Sequence, residues 1–386
     1  MQSVAHLLPW PAVGGTEHAT LRIALAVRHR GFRSVAFCRE DAPQVAALFR
    51  DNGIETETYS AGLPSVRHAI QYFASCRALA RAFREHRIDL LHCADVMAGV
   101  YGAVAGRMSA VPVVCHVRNP VEALDFRLRI ALTPVSKFAF VSRDTWRRFV
   151  VPVMPRRGCV LYDGIDSRSP ADPAVRRAVR DELGVLAEAP VIGMVARLSP
   201  QKDFLTLARA SKLILSQVPS AKFIIVGDIA QEEAHREHYA QLQKKLHQIG
   251  VLDAFIFTGF RSDVSTVMQA FDLFVLSTHF EGLPLVVLEA MSLGLPVVAT
   301  AVNGIPEVIH DAAVGSLVPH EDSETLAREI CALLGSAERR HQVGSAGRQR
   351  VADHFTLETF SSSLVALYQE LLGAHSMSPV SRPRAA

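Results

Sequence analysis

The stretch DLFVLSTHFEGLPLVVLEAMSLGLPVVAT, residues 272–300, holds two short apolar runs on either side of a longer one. DLFVL at 272–276 and PVVAT at 296–300 have the continuous hydrophobicity of strands covered on both faces, while the segment between them has helical length. Gly282-Leu283-Pro284 punctuates the passage from loop to helix. Strand, helix and strand in that order form a parallel βαβ unit. Two carboxylates interrupt it: Glu281 on the loop leaving the first strand, and Glu289 inside the run LVVLEAM. An ionised carboxylate among apolar neighbours is costly without a partner, so both residues require one. At about 1.5 Å per helical residue, the rise from 282 to 289 is about 10 Å. That is too far to share a proton and suits gripping two parts of an elongated ligand.

The same alternation runs along the whole chain. Strands are expected near 3–8, 34–38, 89–92, 112–116 and 138–141, with helices such as 16–30 and 66–87 between them. The pattern restarts with strands at 191–195, 222–226, 255–258, 272–276 and 296–300. YDGIDSRSPADPAVRR at 162–177, rich in Asp, Ser and Pro, separates the halves. The expected fold class is α/β, two tandem Rossmann-like doubly wound domains: residues 1–165, a linker over 166–186, and residues 187–354. The helical run at 355–373 is expected to pack back on the first domain, and the tail at 374–386 to be disordered. Doubly wound sheets bind ligands beyond the carboxyl ends of their strands, which puts the expected site in the cleft between the domains.

At 386 residues the chain is long for one core and suits two. Six scattered cysteines form no CxxC pair and no metal-ligand spacing, so a reducing cytosol is expected. No apolar run reaches the roughly 18 residues of a membrane span, and the opening MQSVAHLLPW does not resemble a signal peptide. The net charge of +3 conceals an asymmetry: residues 1–170 hold 22 Lys and Arg against 14 Asp and Glu, a balance of +8, leaving −5 for the remainder. Two basic stretches, RALARAFREHR at 77–87 and RRFVVPVMPRR at 147–157, read as solvated faces or as a surface for an anionic leaflet or a phosphorylated acceptor. Nucleic acid is not expected as a partner, because the polar loops at the strand ends suit a small anionic ligand.

Other loops leave strand ends with polar residues on them. In PWPAVGGTEHATLRIA, residues 9–24, Gly14 and Gly15 leave room for a phosphate at a helix N-terminus, although a tight turn alone would also use them. ARLSPQKDF, residues 196–204, follows the strand VIGMV and offers Arg197 and Lys202 as cations. His116 ends the strand PVVCH, with Arg118 and Asn119 just beyond it.

Glu281 and Glu289 in the setting EGLPLVVLEAMSLGLPVVAT, with ARLSPQKDF upstream, resemble the retaining glycosyltransferases of family four. The resemblance extends from the Gly-Gly turn to the C-terminal helix and implies the two-Rossmann B-type glycosyltransferase fold with a nucleotide-diphosphate sugar as donor. It assigns the ribose hydroxyls to Glu289, the donor sugar to Glu281, and the diphosphate to Arg197 and Lys202. Gly14 and Gly15 would lie near the donor phosphates and acceptor, and Gly282, Leu283 and Pro284 along the donor. Phe260, through its backbone, and Arg261 in TGFRSDV (258–264) would cup the nucleobase. His116 would face the reacting sugar as a hydrogen-bond partner rather than a general base, with Arg118 and Asn119 as acceptor contacts. Two positions depart from the family pattern. Asp203 stands where many relatives have Gly, and Asn303 replaces the first Gly of the GG-x-PE segment, NGIPEVI at 303–309, whose Glu307 reads as structural.

What the resemblance implies is a metal-independent, retaining transfer to a glycan or lipid-linked acceptor, in polysaccharide or glycolipid assembly. The expected place is the cytoplasm or the inner face of the plasma membrane. No cofactor and no metal are expected, because the two cations can stabilise the departing diphosphate and no Asp-x-Asp motif appears. Two rivals share the architecture. A sugar-nucleotide epimerase would need acid/base carboxylates and would turn over donor without an acceptor. A non-catalytic nucleotide-sugar-binding protein need not keep Arg197, Lys202, Glu281 and Glu289 together.

Overall fold

The computed structural model describes residues 1–62, 64–166, 172–228 and 233–376. The chain divides into two compact units, Met1–Gly164 with Leu357–Ala386, and Ile165–Thr356.

The first unit is built on β1 (Ser3–Leu7), β2 (Arg33–Arg39), β3 (Glu55–Tyr59), β4 (Leu90–Cys93), β5 (Val113–Val117), β6 (Lys137–Phe140) and β7 (Gly158–Val160), in the order β3-β2-β1-β4-β5-β6-β7. All pairings are parallel. β1, β4, β5 and β6 are buried along their whole lengths, as parallel strands covered by helices on both faces must be. Helix Leu357–Ser376 belongs to this unit: Phe360, Leu364, Leu367 and Tyr368 pack on Val4, Ile23, Val27, Leu90 and Val114. Lys137 Nζ adds an ion pair to Glu370 at 2.8 Å.

The second unit has β8 (Val191–Val195), β9 (Lys222–Val226), β10 (Phe255–Gly259), β11 (Leu273–Leu276), β12 (Val297–Thr300) and β13 (Ser316–Val318), in the parallel order β10-β9-β8-β11-β12-β13. In each sheet the chain first builds outward on one side of its opening strand, then returns to build on the other. The reversal falls between β1 and β4 in one unit and between β8 and β11 in the other. At such a switch point the loops leaving the two strands diverge and leave a crevice beyond their carboxyl ends.

Three details differ from the sequence expectation. β3, β7 and β13 are added at sheet edges, where strands are short or half-exposed and carry little apolar signal. The expected linker holds helix Pro173–Glu182, capped by Asp172, with residues 167–171 outside the described residues. Arg176 and Arg180 on that helix grip Asp272 at 2.6 and 2.8 Å, which binds it to the second unit and explains why a Pro-led, charged segment is ordered. Residues 374–376 continue the C-terminal helix, and the rest of the expected tail, 377–386, lies outside the described residues.

Candidate active site

In the second unit, short hydrogen bonds join the loops leaving β8 and β11. Asp203 N donates to Ser277 O at 3.0 Å and Ser277 Oγ donates to Asp203 O at 2.8 Å. His279 N and Thr278 Oγ1 both donate to Gln201 O, at 2.9 and 3.1 Å. This seam sets Lys202 Nζ against Glu281 Oε1 as an ion pair whose side chains are only 13% and 10% exposed. Each supplies the partner that the other's burial requires. Glu281 Oε1, 3.2 Å from Thr278 Oγ1, shares that hydroxyl's single proton with Gln201 O, and Asn303 Oδ1 accepts from Glu281 N at 3.0 Å. Asn303 has φ +46°, a left-handed backbone that Asn tolerates, and its side chain anchors the loop where a glycine could not.

Arg197 lies two residues beyond β8, exposed, and its guanidinium makes no hydrogen bond among the described residues. Gly227, at φ +154°, lets the chain after β9 pass this loop: a Cβ there would lie 2.1 Å from Ala196 O. The helix expected to open at Gly282 begins at Leu285, so Gly282, Leu283 and Pro284 are a buried turn before it and the rise reckoned from 282 does not apply. Glu289 is half-buried, between the fully buried Leu288 and Ala290. Phe260 is exposed on the loop after β10. Arg261 beside it is committed to Glu182 and, at 2.8 Å, to Asp263, which leaves its guanidinium little freedom to cup a base.

In the first unit, Gly14 caps helix Gly15–His29 and donates its N–H to Glu17 Oε2 at 2.9 Å. Glu17 is buried, and burial raises its pKa despite that hydrogen bond. A Cβ at Gly15 would meet nothing within 4 Å, so the protein's own packing does not demand glycine there. Across the switch point, Trp10 Nε1 donates to Asp95 Oδ2, and Asp95 Oδ1 caps helix Val96–Ser109 by accepting from Ala98 N at 2.8 Å. Burial raises the Asp95 pKa as well.

Beside these groups runs a buried chain of rings. His92 Nδ1 meets Tyr368 OH, His92 Nε2 lies 3.2 Å from His116 Nδ1, and Arg118 Nη2 lies 3.4 Å from that same His116 nitrogen. Burial, with the Arg118 charge, holds both histidines well below their usual pKa, so each is neutral with one N–H. A guanidinium only donates, so His116 Nδ1 is an acceptor. His92 Nε2 must then donate to it, His92 Nδ1 must accept, and Tyr368 OH must donate. By elimination His116 Nε2 bears the proton, and this buried atom has no partner among the described residues. Arg118, expected at the acceptor, is instead buried, donating to Ala94 O at 3.1 Å and Asp163 Oδ2 at 2.8 Å. Its three bonds orient His116. Asn119 is exposed.

Sequence reasoning missed Glu17, Asp95, His92 and Tyr368. His92 was legible as a polar residue in the strand DLLH, whereas Tyr368, 276 residues away, had no local signal.

Two family models match the chain: one described as a glycosyl transferase 4-like domain over residues 14–191, and one described as glycosyl transferases group 1 over residues 175–350. The UDP-Gal:alpha-D-GlcNAc-diphosphoundecaprenol alpha-1,3-galactosyltransferase of Escherichia coli is 26% identical over 348 residues, covering 85% of this chain and 86% of that protein. The 2-deoxystreptamine N-acetyl-D-glucosaminyltransferase of Streptomyces fradiae is 26% identical over 405 residues, covering 92% and 91%. Among solved structures, Anabaena Alr3699/HepE in complex with UDP superposes with a TM-score of 0.85 at 24% identity, covering 96% of this chain and 100% of that one. With two switch-point sheets of the B-type architecture and matches along both halves, the chain belongs to the glycosyl transferases group 1 family and is a glycosyltransferase.

Proposed function

We propose that the protein is a retaining, metal-independent glycosyltransferase that moves a sugar from a nucleoside diphosphate donor to a glycan or lipid-linked acceptor. The observation that carries this reading is the Lys202–Glu281 pair at the β8/β11 switch point, with the uncommitted Arg197 on the same loop as Lys202. Breaking the bond between sugar and diphosphate builds negative charge on the leaving group, and Arg197 and Lys202 are fixed cations that stabilise it. Glu281 keeps Oε2 for a sugar hydroxyl while Lys202 and Thr278 hold Oε1. Glu289 takes the ribose hydroxyls, Phe260 borders the base, and Gly14 and Gly15 serve the phosphates and acceptor. His116 offers its Nε2–H to the reacting sugar, a role that needs a neutral, oriented imidazole rather than a base.

Retention follows if the acceptor hydroxyl attacks the face that the diphosphate vacates and a donor phosphate oxygen takes its proton. Glu281 is a poor nucleophile while paired with Lys202, which disfavours a double displacement. Contact with an anionic leaflet is supported by helix Ala69–Glu85, where exposed Ile70 and Phe73 share the helix with exposed Arg77, Arg81 and Arg84. No helix among the described residues is long and apolar enough to cross a membrane.

The test is transfer in excess EDTA with the product anomer read by NMR. Undiminished transfer and a product of the donor's configuration support the proposal. Activity lost to EDTA and restored by manganese, or an inverted product, overturns it.

A further inference from the structure

We propose that Asp203, His279 and His320 form a binding site for one divalent transition-metal ion of the zinc class. One carboxylate oxygen of Asp203 and one ring nitrogen from each histidine lie within 4.8 Å of one another. Asp203 is 3% exposed, and its Oδ1 is spent capping helix Phe204–Gln217 by accepting from Thr206 N at 3.0 Å. Its Oδ2 is buried with no partner among the described residues. A bare carboxylate oxygen out of water is an expensive feature to keep, and a cation beside it removes the cost. The two imidazoles face each other, His279 Nδ1 lying 2.7 Å from His320 Nε2. Ligand atoms held about 2.0–2.2 Å from a tetrahedral zinc sit a little farther apart than that, so a small opening of the rings admits the ion. Glu321 Oε1, 3.8 Å from His279 Nδ1, is placed to supply a fourth ligand.

The backbone prepares the site. The bonds from Asp203 to Ser277 and from His279 to Gln201 already hold two of the three ligand-bearing segments in register. The third follows β13, and the exposed His320 needs only a side-chain adjustment to close on the ion. Two imidazoles with a carboxylate favour zinc, cobalt or nickel over magnesium or calcium, which prefer all-oxygen sets. Asp203 follows Lys202 and His279 precedes Glu281 by two residues, so the ion would pin both ends of the seam behind the Lys202–Glu281 pair without joining it. The ion would brace the loops structurally and supplies no step in the proposed transfer.

The test is calorimetric titration of the full chain, stripped with chelator, with zinc chloride alone at pH 7.5, and with cobalt chloride followed by visible absorbance. One equivalent of zinc is expected, with a raised melting temperature and a cobalt d–d band of four-coordinate type. His320→Ala, at an exposed position, and His279→Ala should each weaken binding at least tenfold, while His341→Ala, on a remote helix surface, should not. Magnesium chloride alone should give no saturable heat. Zinc binding that survives His320→Ala unchanged, zinc binding equally sensitive to His341→Ala, or no zinc binding by the wild type would each overturn the proposal. None of these results bears on transfer activity in EDTA, so the site and the proposed chemistry fail separately.

Discussion

Replacing Lys202 with Met removes the ammonium group but leaves an unbranched apolar stem in its place. Glu281, only 10% exposed, would then face a methyl group. Stranding one member of a buried ion pair costs about 3–5 kcal/mol. The Thr278 hydroxyl stays on Glu281 at 3.2 Å, which places the loss at the low end, about 3 kcal/mol. For a folding unit of this size that lowers the melting temperature by about 6–12 °C. Adding Glu281→Gln removes the stranded charge while keeping an acceptor for Thr278. The double variant should therefore recover most of the lost stability, giving a coupling energy of about 2 kcal/mol. Donor binding separates structure from function here: the recovered fold still lacks the Lys202 cation, so affinity for the cognate nucleoside diphosphate should stay reduced. Scanning calorimetry supplies the melting temperatures and titration with UDP, GDP and ADP the affinities. A double variant that binds the diphosphate as wild type does would reduce Lys202 to a structural partner, and a single variant that melts as wild type would refute the burial argument itself.

Glu289→Gln should weaken donor binding by about 1.5–3 kcal/mol, because an amide accepts two ribose hydroxyls less well than a carboxylate; unchanged affinity removes Glu289 from the site. Tyr368→Phe should cost about 1–3 kcal/mol of stability by leaving His92 Nδ1 without its donor. Nitrogen-15 NMR should still find His116 protonated at Nε2, because Arg118 holds its Nδ1 as an acceptor, and a second His116 tautomer would break the ring-chain argument. His6, His92 and His116 all have depressed folded pKa values, to about 3 for His6, from burial, so the unfolded chain binds their protons first. Stability should be full above about pH 6.5 and fall below it by about 1.4 kcal/mol per pH unit for each such histidine, and a flat urea midpoint between pH 6.5 and 5 counts against neutral burial. Replacing Arg77, Arg81 and Arg84 together by Gln should reduce sedimentation with anionic vesicles and its salt sensitivity, whereas equal wild-type binding to neutral and anionic vesicles would leave only a solvated helix face.

What could be read from the chain follows the range over which each signal acts. Strands were legible where their residues are continuously apolar, as in VIGMV at 191–195 and KFIIV at 222–226, which are covered on both faces and which the structure reproduces residue for residue. ETETY at 55–59 was not, because an edge strand with half-exposed side chains looks like a polar loop. Helix Pro173–Glu182 was hidden by its proline and charges, whose partner Asp272 is far along the chain. Lys202 and Glu281 were legible individually, each on a loop leaving an apolar strand, but their pairing was not. It depends on β8 and β11 being neighbours, a fact of strand order that two intervening strands conceal.

The ring chain likewise has no signal along the sequence. Histidines at 6, 92 and 116 have no spacing in common, and each alone resembles a core histidine satisfied by local backbone. Placing β1, β4 and β5 side by side sets His6 opposite His92 and brings His116 within reach of it. The C-terminal helix then delivers Tyr368 to close the line from outside the sheet's own sequence. Arg118, which can only donate, fixes the proton on His116 Nε2, and the Tyr368 hydroxyl completes the line by donating to His92. That last bond gives Leu357–Ser376 a part in holding His92 as well as in covering the core, so the buried rings of the first unit draw on the chain's far end.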